Sequence, residues 1–228
     1  MKKRFWVIFY LFGLLFFGQQ SFAAETELPS RASLEAAISV AEANEGKSPD
    51  NALLLNNLRD TLSLLDQIEQ QKNSIESLQK TVDNADGLMK QSQDNLNNLN
   101  SAESIESLSK KWDSIPLDQL TVLQGENEKH LQQIQAELSN LNGLLVAQRS
   151  VPERMQAALS ENLVRSQELK KLLFSAQVSP SLANKFHAEL QLIELKNQYN
   201  QLNLSGNSKL TSLYESQVAE KNLEQQQL

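Results

Sequence analysis

A seven-residue repeat in the first half of the chain constrains the fold more than any other feature of the sequence. Two interleaved series of mostly apolar residues keep this spacing between residues 64 and 99. The first series is Ile68, Ile75, Val82, Met89 and Leu96, and the second is Leu64, Gln71, Leu78, Ala85, Ser92 and Leu99. A repeat kept this long predicts a helix in a left-handed supercoiled contact with a partner helix. At 1.5 Å per residue, that helix would be a rod of about 54 Å.

A second periodic region, residues 116–176, alternates steps of three and four, which places the repeated residues on one side of a helix. Its seam before residue 150 is Leu117, Leu120, Gln124, Asn127, Leu131, Ile134, Leu138, Leu141 and Leu145. After Pro152 the seam continues with Met155, Leu159, Asn162, Ser166, Leu169, Leu173 and Ala176. A helix with one apolar stripe buries it against another helix. We therefore expect two long helices folded back at Ser150-Val151-Pro152-Glu153, with Leu138 buried and Glu137 on the outer side.

Proline, serine and glycine divide the remaining chain into helices. Ser30 is a good N-cap for a helix over residues 31–44, and Pro49 suits the first turn of the next helix. A short helix is expected at 104–112 and another at 181–202. We expect Gly206 to end that helix and Ser208 to cap a last one over 209–228. The sequence thus predicts an all-α fold, an elongated helical bundle of coiled-coil hairpins built from long amphipathic helices.

The N-terminus has the order of a secretory signal peptide. Three basic residues precede an apolar run at 5–17, and small residues flank Phe22 before the bond between Ala23 and Ala24. The alternative is a retained membrane anchor, but a spanning helix needs about 20 apolar residues and Gln19 interrupts this run. We expect cleavage after Ala23, which divides the chain into a signal peptide, 1–23, and a periplasmic helical coiled-coil domain, 24–228.

The charge and the residue types exclude several functions. The whole chain carries −7, and removing a leader with three basic residues and no acid leaves −10. That charge opposes binding to nucleic acid or anionic lipid. The chain contains no cysteine, so disulfides and thiolate chemistry are absent.

Reactive side chains are few, and their spacing in the sequence does not bring them together in one site. The two histidines are His130 and His187, on different predicted helices. Glu126 and His130 share a helix face and could form a metal pair, although a solvated face is the preferred interpretation. Trp112 could be a ligand platform but is expected to pack over a bundle end, and the many Gln and Asn residues suit exposed helix surfaces. We predict no catalytic, cofactor or metal site, no small-molecule substrate and no enzyme activity.

Four stretches resemble the porin domain of large bacterial mechanosensitive channels, of the potassium-dependent type. They are Leu28-Pro29-Ser30-Arg31, Leu117-Asp118-Gln119-Leu120, the Pro-Glu-Arg motif at Pro152-Glu153-Arg154, and the restart at Gly206-Asn207-Ser208. In that family the segment precedes membrane helices and a pore-forming domain, so the resemblance implies a piece of a longer channel, truncated at its C-terminus.

The resemblance implies a structural and modulatory role in tension-gated ion efflux. The expected partners are the channel's membrane domain and further copies of the subunit, at the inner membrane of a Gram-negative periplasm. The alternative function is a free-standing periplasmic coiled-coil adaptor or chaperone. The gene sequence beyond residue 228 distinguishes the two, because only a channel continues into several hydrophobic spans.

Overall fold

The computed structural model describes residues 28–44, 48–101, 115–175 and 178–228. It contains five helices: α1 (Arg31–Glu42), α2 (Pro49–Asn100), α3 (Leu117–Arg149), α4 (Val151–Leu173) and α5 (Pro180–Gln227). Helix accounts for 92% of the described residues, without a strand among them, so the all-α prediction is confirmed. The expected cleavage site, the helix at 104–112 with Trp112, and Ala176 lie outside the described residues.

Serine side chains cap three of these helices, and the predicted cap at Ser30 is confirmed. Ser30 Oγ accepts a hydrogen bond from the Ser33 amide at 3.2 Å, and Ser48 Oγ accepts one from the Asp50 amide at 3.1 Å. Ser179 accepts from the Leu182 amide before α5. Each cap satisfies one of the amides that a helix start leaves without an intrahelical partner.

The two longest helices, α2 and α5, run parallel and form the main contact of the fold. Pairs such as Ser92 with Ser216 and Asp60 with Lys185 are separated by 123 to 125 residues near both ends of the contact. A constant separation means that the helices run in the same direction. None of the heptad positions between 64 and 99 is exposed, so the predicted partner contact is confirmed.

Helices α3 and α4 lie end to end along a different face of α5 and run antiparallel to it. The partner of α5 moves back along the chain as α5 advances, from Arg165 opposite Glu189 to His130 opposite Glu224. Neither α3 nor α4 makes a substantial contact with α2. The molecule is therefore an elongated, open arrangement with α5 in the middle, and α1 folds back on α2 at one end.

The expected fold-back at Ser150-Val151-Pro152-Glu153 is wrong. Only Ser150 separates α3 from α4, and its φ of −87° and ψ of −5° are helical values. One residue in that conformation cannot reverse the chain, so α4 continues roughly in the direction of α3. The helices that do fold back on each other are α1 with α2 and α4 with α5.

The expected helix end at Gly206 is also wrong, because α5 is continuous from Pro180 to Gln227. Ser208 therefore caps nothing. Gly206 is buried and faces Val82 of α2, and a Cβ built on Gly206 would lie 2.7 Å from Val82 Cγ2. Glycine can end a helix or allow two helices to pack closely, and Gly206 does the second.

The seam of the α3–α4 row is confirmed over most of its length. Ile134, Leu138 and Leu145 of α3 and Leu169 of α4 are buried against α5. The first turns differ: Leu117 is 79% exposed, and Gln124 and Asn127 are exposed too. Among the described residues, α5 covers the later turns of α3 and leaves these first turns exposed. Among the described helices, none has the length and apolar character needed to cross a bilayer.

Candidate functional site

The histidine highlighted by the sequence faces a neighbouring helix rather than Glu126. His130 Nε2 lies 3.1 Å from Glu224 Oε1 of α5, and the imidazole is 45% exposed. In the described part of the chain, no three acidic or histidine side chains come together in a way that could hold a metal ion. The contact is therefore an inter-helix hydrogen bond, and the absence of enzyme activity stays a prediction.

Close to His130, a single lysine joins α3 to α5. Lys221 Nζ lies 2.9 Å from Glu137 Oε2 and 2.8 Å from Glu224 Oε2. Hydrogen bonds from Lys221, and then from Gln133, hold the pKa of Glu137 below its ordinary value. Burial acts to lower the pKa of Lys221, but its hydrogen bonds to the two carboxylates outweigh burial and leave the pKa raised. The two pKa shifts indicate that both groups are charged and clamped together at neutral pH.

The expectation that Glu137 lies on the outer side is wrong. Its carboxylate reaches α5, because a residue next to the buried Leu138 flanks the seam, and a long side chain there can reach the partner helix. The sequence did carry a signal for this contact. A charged residue beside a seam position is where ion pairs between packed helices commonly form.

Ion pairs at other levels also attach α5 to both of its neighbours. Toward α4, Arg165 Nε lies 2.6 Å from Glu189 Oε1, and Arg165 Nη2 lies 3.1 Å from Glu189 Oε2. Toward α2, Lys185 Nζ lies 2.6 Å from Asp60 and Lys209 Nζ lies 2.8 Å from Asp86. In each pair one partner belongs to α5, so this helix is fixed from two sides.

Four asparagines of α5, which we call the asparagine belt, lie close together along the helix, and the first and last of them bond to α4 and α3. They are Asn197, Asn200, Asn203 and Asn207. Asn162 Nδ2 donates to Asn197 Oδ1 at 2.8 Å, and Gln148 Nε2 donates to Asn207 Oδ1 at 2.9 Å.

The middle of the belt is buried. Asn200 and Asn203 are 6% and 8% exposed, and Asn203 donates to the Tyr199 carbonyl. Within the described part, every fully buried side-chain nitrogen or oxygen has a hydrogen-bond partner. The expectation that the asparagines suit exposed surfaces is therefore wrong for the belt. Its spacing of three, three and four residues was the available signal, because such spacing marks one helix face.

An apolar groove opens where α3 extends beyond α5. Its volume is about 650 Å³, and Leu120, Leu123, Leu131 and Leu228 form its walls. Polar residues from both helices, including Glu128 and Gln225, complete the lining. The groove offers apolar contact but no clustered reactive group. The inter-helix contacts of the described region hold its helices in register.

Comparison with known proteins agrees with this architecture. Residues 38–228 match the family model described as the mechanosensitive ion channel porin domain. A protein of Haemophilus influenzae described as an uncharacterized MscS family protein is 33% identical over 190 residues, which cover 83% of this chain and 17% of the relative. The mechanosensitive channel MscK of Escherichia coli is 26% identical over 196 residues, 84% of this chain and 18% of that protein.

The chain thus spans less than a fifth of the length of either relative. No solved structure gives a significant match.

Proposed function

The chain belongs to the mechanosensitive ion channel porin domain family, and from this premise we propose that it is the extramembrane helical region of a tension-gated channel subunit. The family match over residues 38–228 is the observation that carries the proposal. In this role the domain contributes spacing, packing between subunits and mechanical coupling to a membrane domain, while other parts of the full-length protein form the pore.

The packing of α5 supports a mechanical role. Any axial displacement of α5 has to slide against α2 on one face and against α3 and α4 on the other, because both faces carry apolar seams and ion pairs. Packed helices with interlocking side chains have discrete arrangements rather than a continuous range of positions. A displacement at one end of α5 is therefore passed to its neighbours as a shift of whole helices.

The proposed location is the periplasm of a Gram-negative bacterium, with attachment to the inner membrane through the rest of the subunit. Support comes from the basic, apolar and small-residue order before Ala24, which is the order of an export signal. Mass spectrometry of the exported protein should find an N-terminus at Ala24. A mature protein that retains residues 5–17 would favour the membrane-anchor alternative.

Patch-clamp recording of the full-length channel tests the functional proposal. Deletion of residues 24–228 should change the tension threshold or the stability of the open state while leaving single-channel conductance nearly unchanged. A remote domain can bias a gating equilibrium only by contacting the closed and open states differently, and it does not line the pore.

A matched pair of variants tests whether the tension threshold depends on the correct packing of this domain and not only on its presence. Leu138→Asp places a charge in the buried α3–α5 seam, whereas Ser139→Asp places the same charge on an exposed position. Leu138→Asp should shift the threshold in the direction of the deletion, and Ser139→Asp should not. A large change in conductance with an unchanged threshold would put this segment in the ion path. If the full-length protein produces no tension-activated current, the adaptor alternative is favoured.

A further inference from the structure

The molecule has three rows of helices, namely α2, α5 and the end-to-end pair α3–α4. Residues that are weak helix formers lie at the same level in all three rows. On α5 this level is the Ser205-Gly206-Asn207-Ser208 stretch. Gly206 faces Val82 of α2, which is followed by Asp83, Asn84, Asp86 and Gly87. On the other side, Gln148 donates a hydrogen bond to Asn207 one residue before α3 ends at Arg149. We call this level the waist.

Each row has a physical reason to bend at the waist. Glycine is about 1 kcal/mol worse than alanine inside a helix, and serine, asparagine and aspartate are also weak helix formers. Pro152 has no amide hydrogen, so the backbone hydrogen-bond ladder is interrupted where α3 passes into α4. Sharp helix kinks concentrate at prolines and at neighbouring glycine and serine residues.

The apolar contact of α5 with α3 and α4 is also interrupted next to the waist. Below it, Phe186 and Ile193 of α5 pack with Leu169 of α4. Above it, Leu138 and Leu145 of α3 are buried in the contact with α5. Between these apolar contacts, Asn197 and Asn207 of the asparagine belt bond to Asn162 of α4 and Gln148 of α3. Bending a tightly packed apolar segment opens voids, whereas amide hydrogen bonds can exchange partners with water.

The contact with α2 is unevenly packed near the waist. Just below the waist, Tyr199 of α5 and Ser74, Ser77 and Thr81 of α2 line an open groove of about 470 Å³. At the waist itself, Gly206 presents no side chain that could interlock with Val82. The contact between Gly206 and Val82 can therefore act as a pivot between α5 and α2.

We propose that the waist is a hinge at which the elongated domain bends, with the packed segments on either side moving as two rigid bodies. The hinge follows from the packing alone and does not depend on the channel role proposed above. Bending changes the angle between the two halves while the parallel register of α2 and α5 is kept.

Pulsed electron paramagnetic resonance on the full chain tests this proposal. Because the chain has no cysteine, spin labels can be placed by cysteine substitution alone. Glu194→Cys with Ser212→Cys places labels on exposed positions of α5 across the waist. Asn56→Cys with Ser74→Cys is the control within one half, on α2. Both pairs are 18 residues apart, or about 27 Å along a straight helix.

We expect a broader distance distribution for the crossing pair than for the control pair. A bend of about 20° changes the distance between points some 6 Å from the axis by about 2 Å. Equal, narrow distributions would show a rigid rod. Equally broad distributions would show general flexibility. Either outcome overturns the hinge.

A variant with stiffer helices at the waist tests whether the waist residues are the source of the motion. Gly87→Ala adds a methyl group where nothing lies within 4 Å, and Gly206→Ala combined with Val82→Ala removes the steric conflict. The triple variant should narrow the crossing distribution toward the control. If it does not fold, Gly87→Ala alone should still produce part of the narrowing. A crossing distribution that stays as broad in the folded variant would refute the assignment.

Discussion

Gly206→Ala is the sharpest test of the contact between α2 and α5. The added Cβ would lie 2.7 Å from Val82 Cγ2 and 3.3 Å from Val82 Cγ1. Valine is branched at Cβ and strongly prefers one χ1 rotamer in a helix, so its methyl groups swing aside only into an unfavourable rotamer. Overpacking of this kind costs about 1–3 kcal/mol. Replacing a glycine inside a helix by alanine returns about 1 kcal/mol.

The free energy of unfolding should therefore fall by up to about 2 kcal/mol in Gly206→Ala. At roughly 2–4 °C per kcal/mol for a chain of this size, the melting temperature falls by several degrees. Gly87→Ala is the matched control, because its Cβ meets nothing within 4 Å. It should raise the free energy of unfolding by up to about 1 kcal/mol.

A double-mutant cycle assigns the loss to one contact. Val82→Ala removes the two methyl groups that Gly206→Ala would strike, so the double variant should be more stable than the sum of the single changes predicts. Thermal and urea melts followed by circular dichroism at 222 nm give the required free energies. If Gly206→Ala were as stabilising as Gly87→Ala, the two helices would not meet at this residue.

Two further predictions concern the α3–α5 contact. Leu138→Asp should cost about 3–5 kcal/mol because it buries an unpaired carboxylate, whereas Ser139→Asp should stay within about 0.5 kcal/mol; equal melting temperatures would mean that the wrong face was assigned. The pKa of Glu137 is lowered in the folded state. Its pairing with Lys221 therefore contributes its full stabilisation of the fold at a pH above the ordinary glutamate pKa of about 4.3, and this stabilisation is lost as the pH falls through the lower pKa of the folded state. Glu137→Gln should therefore reduce the fall in melting temperature with acidification, and identical pH profiles for the parent and the variant would contradict the pairing.

The sequence predicted the features that depend on periodicity. The heptad positions from Leu64 to Leu99 identify the buried stripe of α2, because a buried stripe requires the same repeat whichever helix covers it. The spacing from Leu131 to Leu145 identifies the α3 stripe for the same reason. Caps at Ser30, Ser48 and Ser179 were predictable because an N-cap needs only local sequence.

The features that depend on which residue of a neighbouring helix lies opposite could not be predicted from the sequence. Glycine can end a helix or allow close approach, and only the position of Val82 shows that Gly206 does the second. Pro152 fits the first turn of a helix after a fold-back and after a straight continuation alike, and only the helical backbone at Ser150 decides. The asparagine belt was missed because α5 buries two faces, whereas the expectation for a surface helix is one.

The contacts between α2 and α5 hold their register more firmly than their strength alone suggests. An exposed ion pair such as Asp60–Lys185 or Asp86–Lys209 contributes only about 0–1 kcal/mol. Both pairs, however, keep nearly the same sequence separation as the Ser92–Ser216 hydrogen bond. A slip of one helical turn, about 5.4 Å, would break all of them together and bring a residue with a side chain opposite Val82, where only glycine fits. Sliding of α5 along α2 is therefore opposed over the whole contact at once, whereas bending at the waist disturbs only the contacts near that level, so bending is the motion that this packing opposes least.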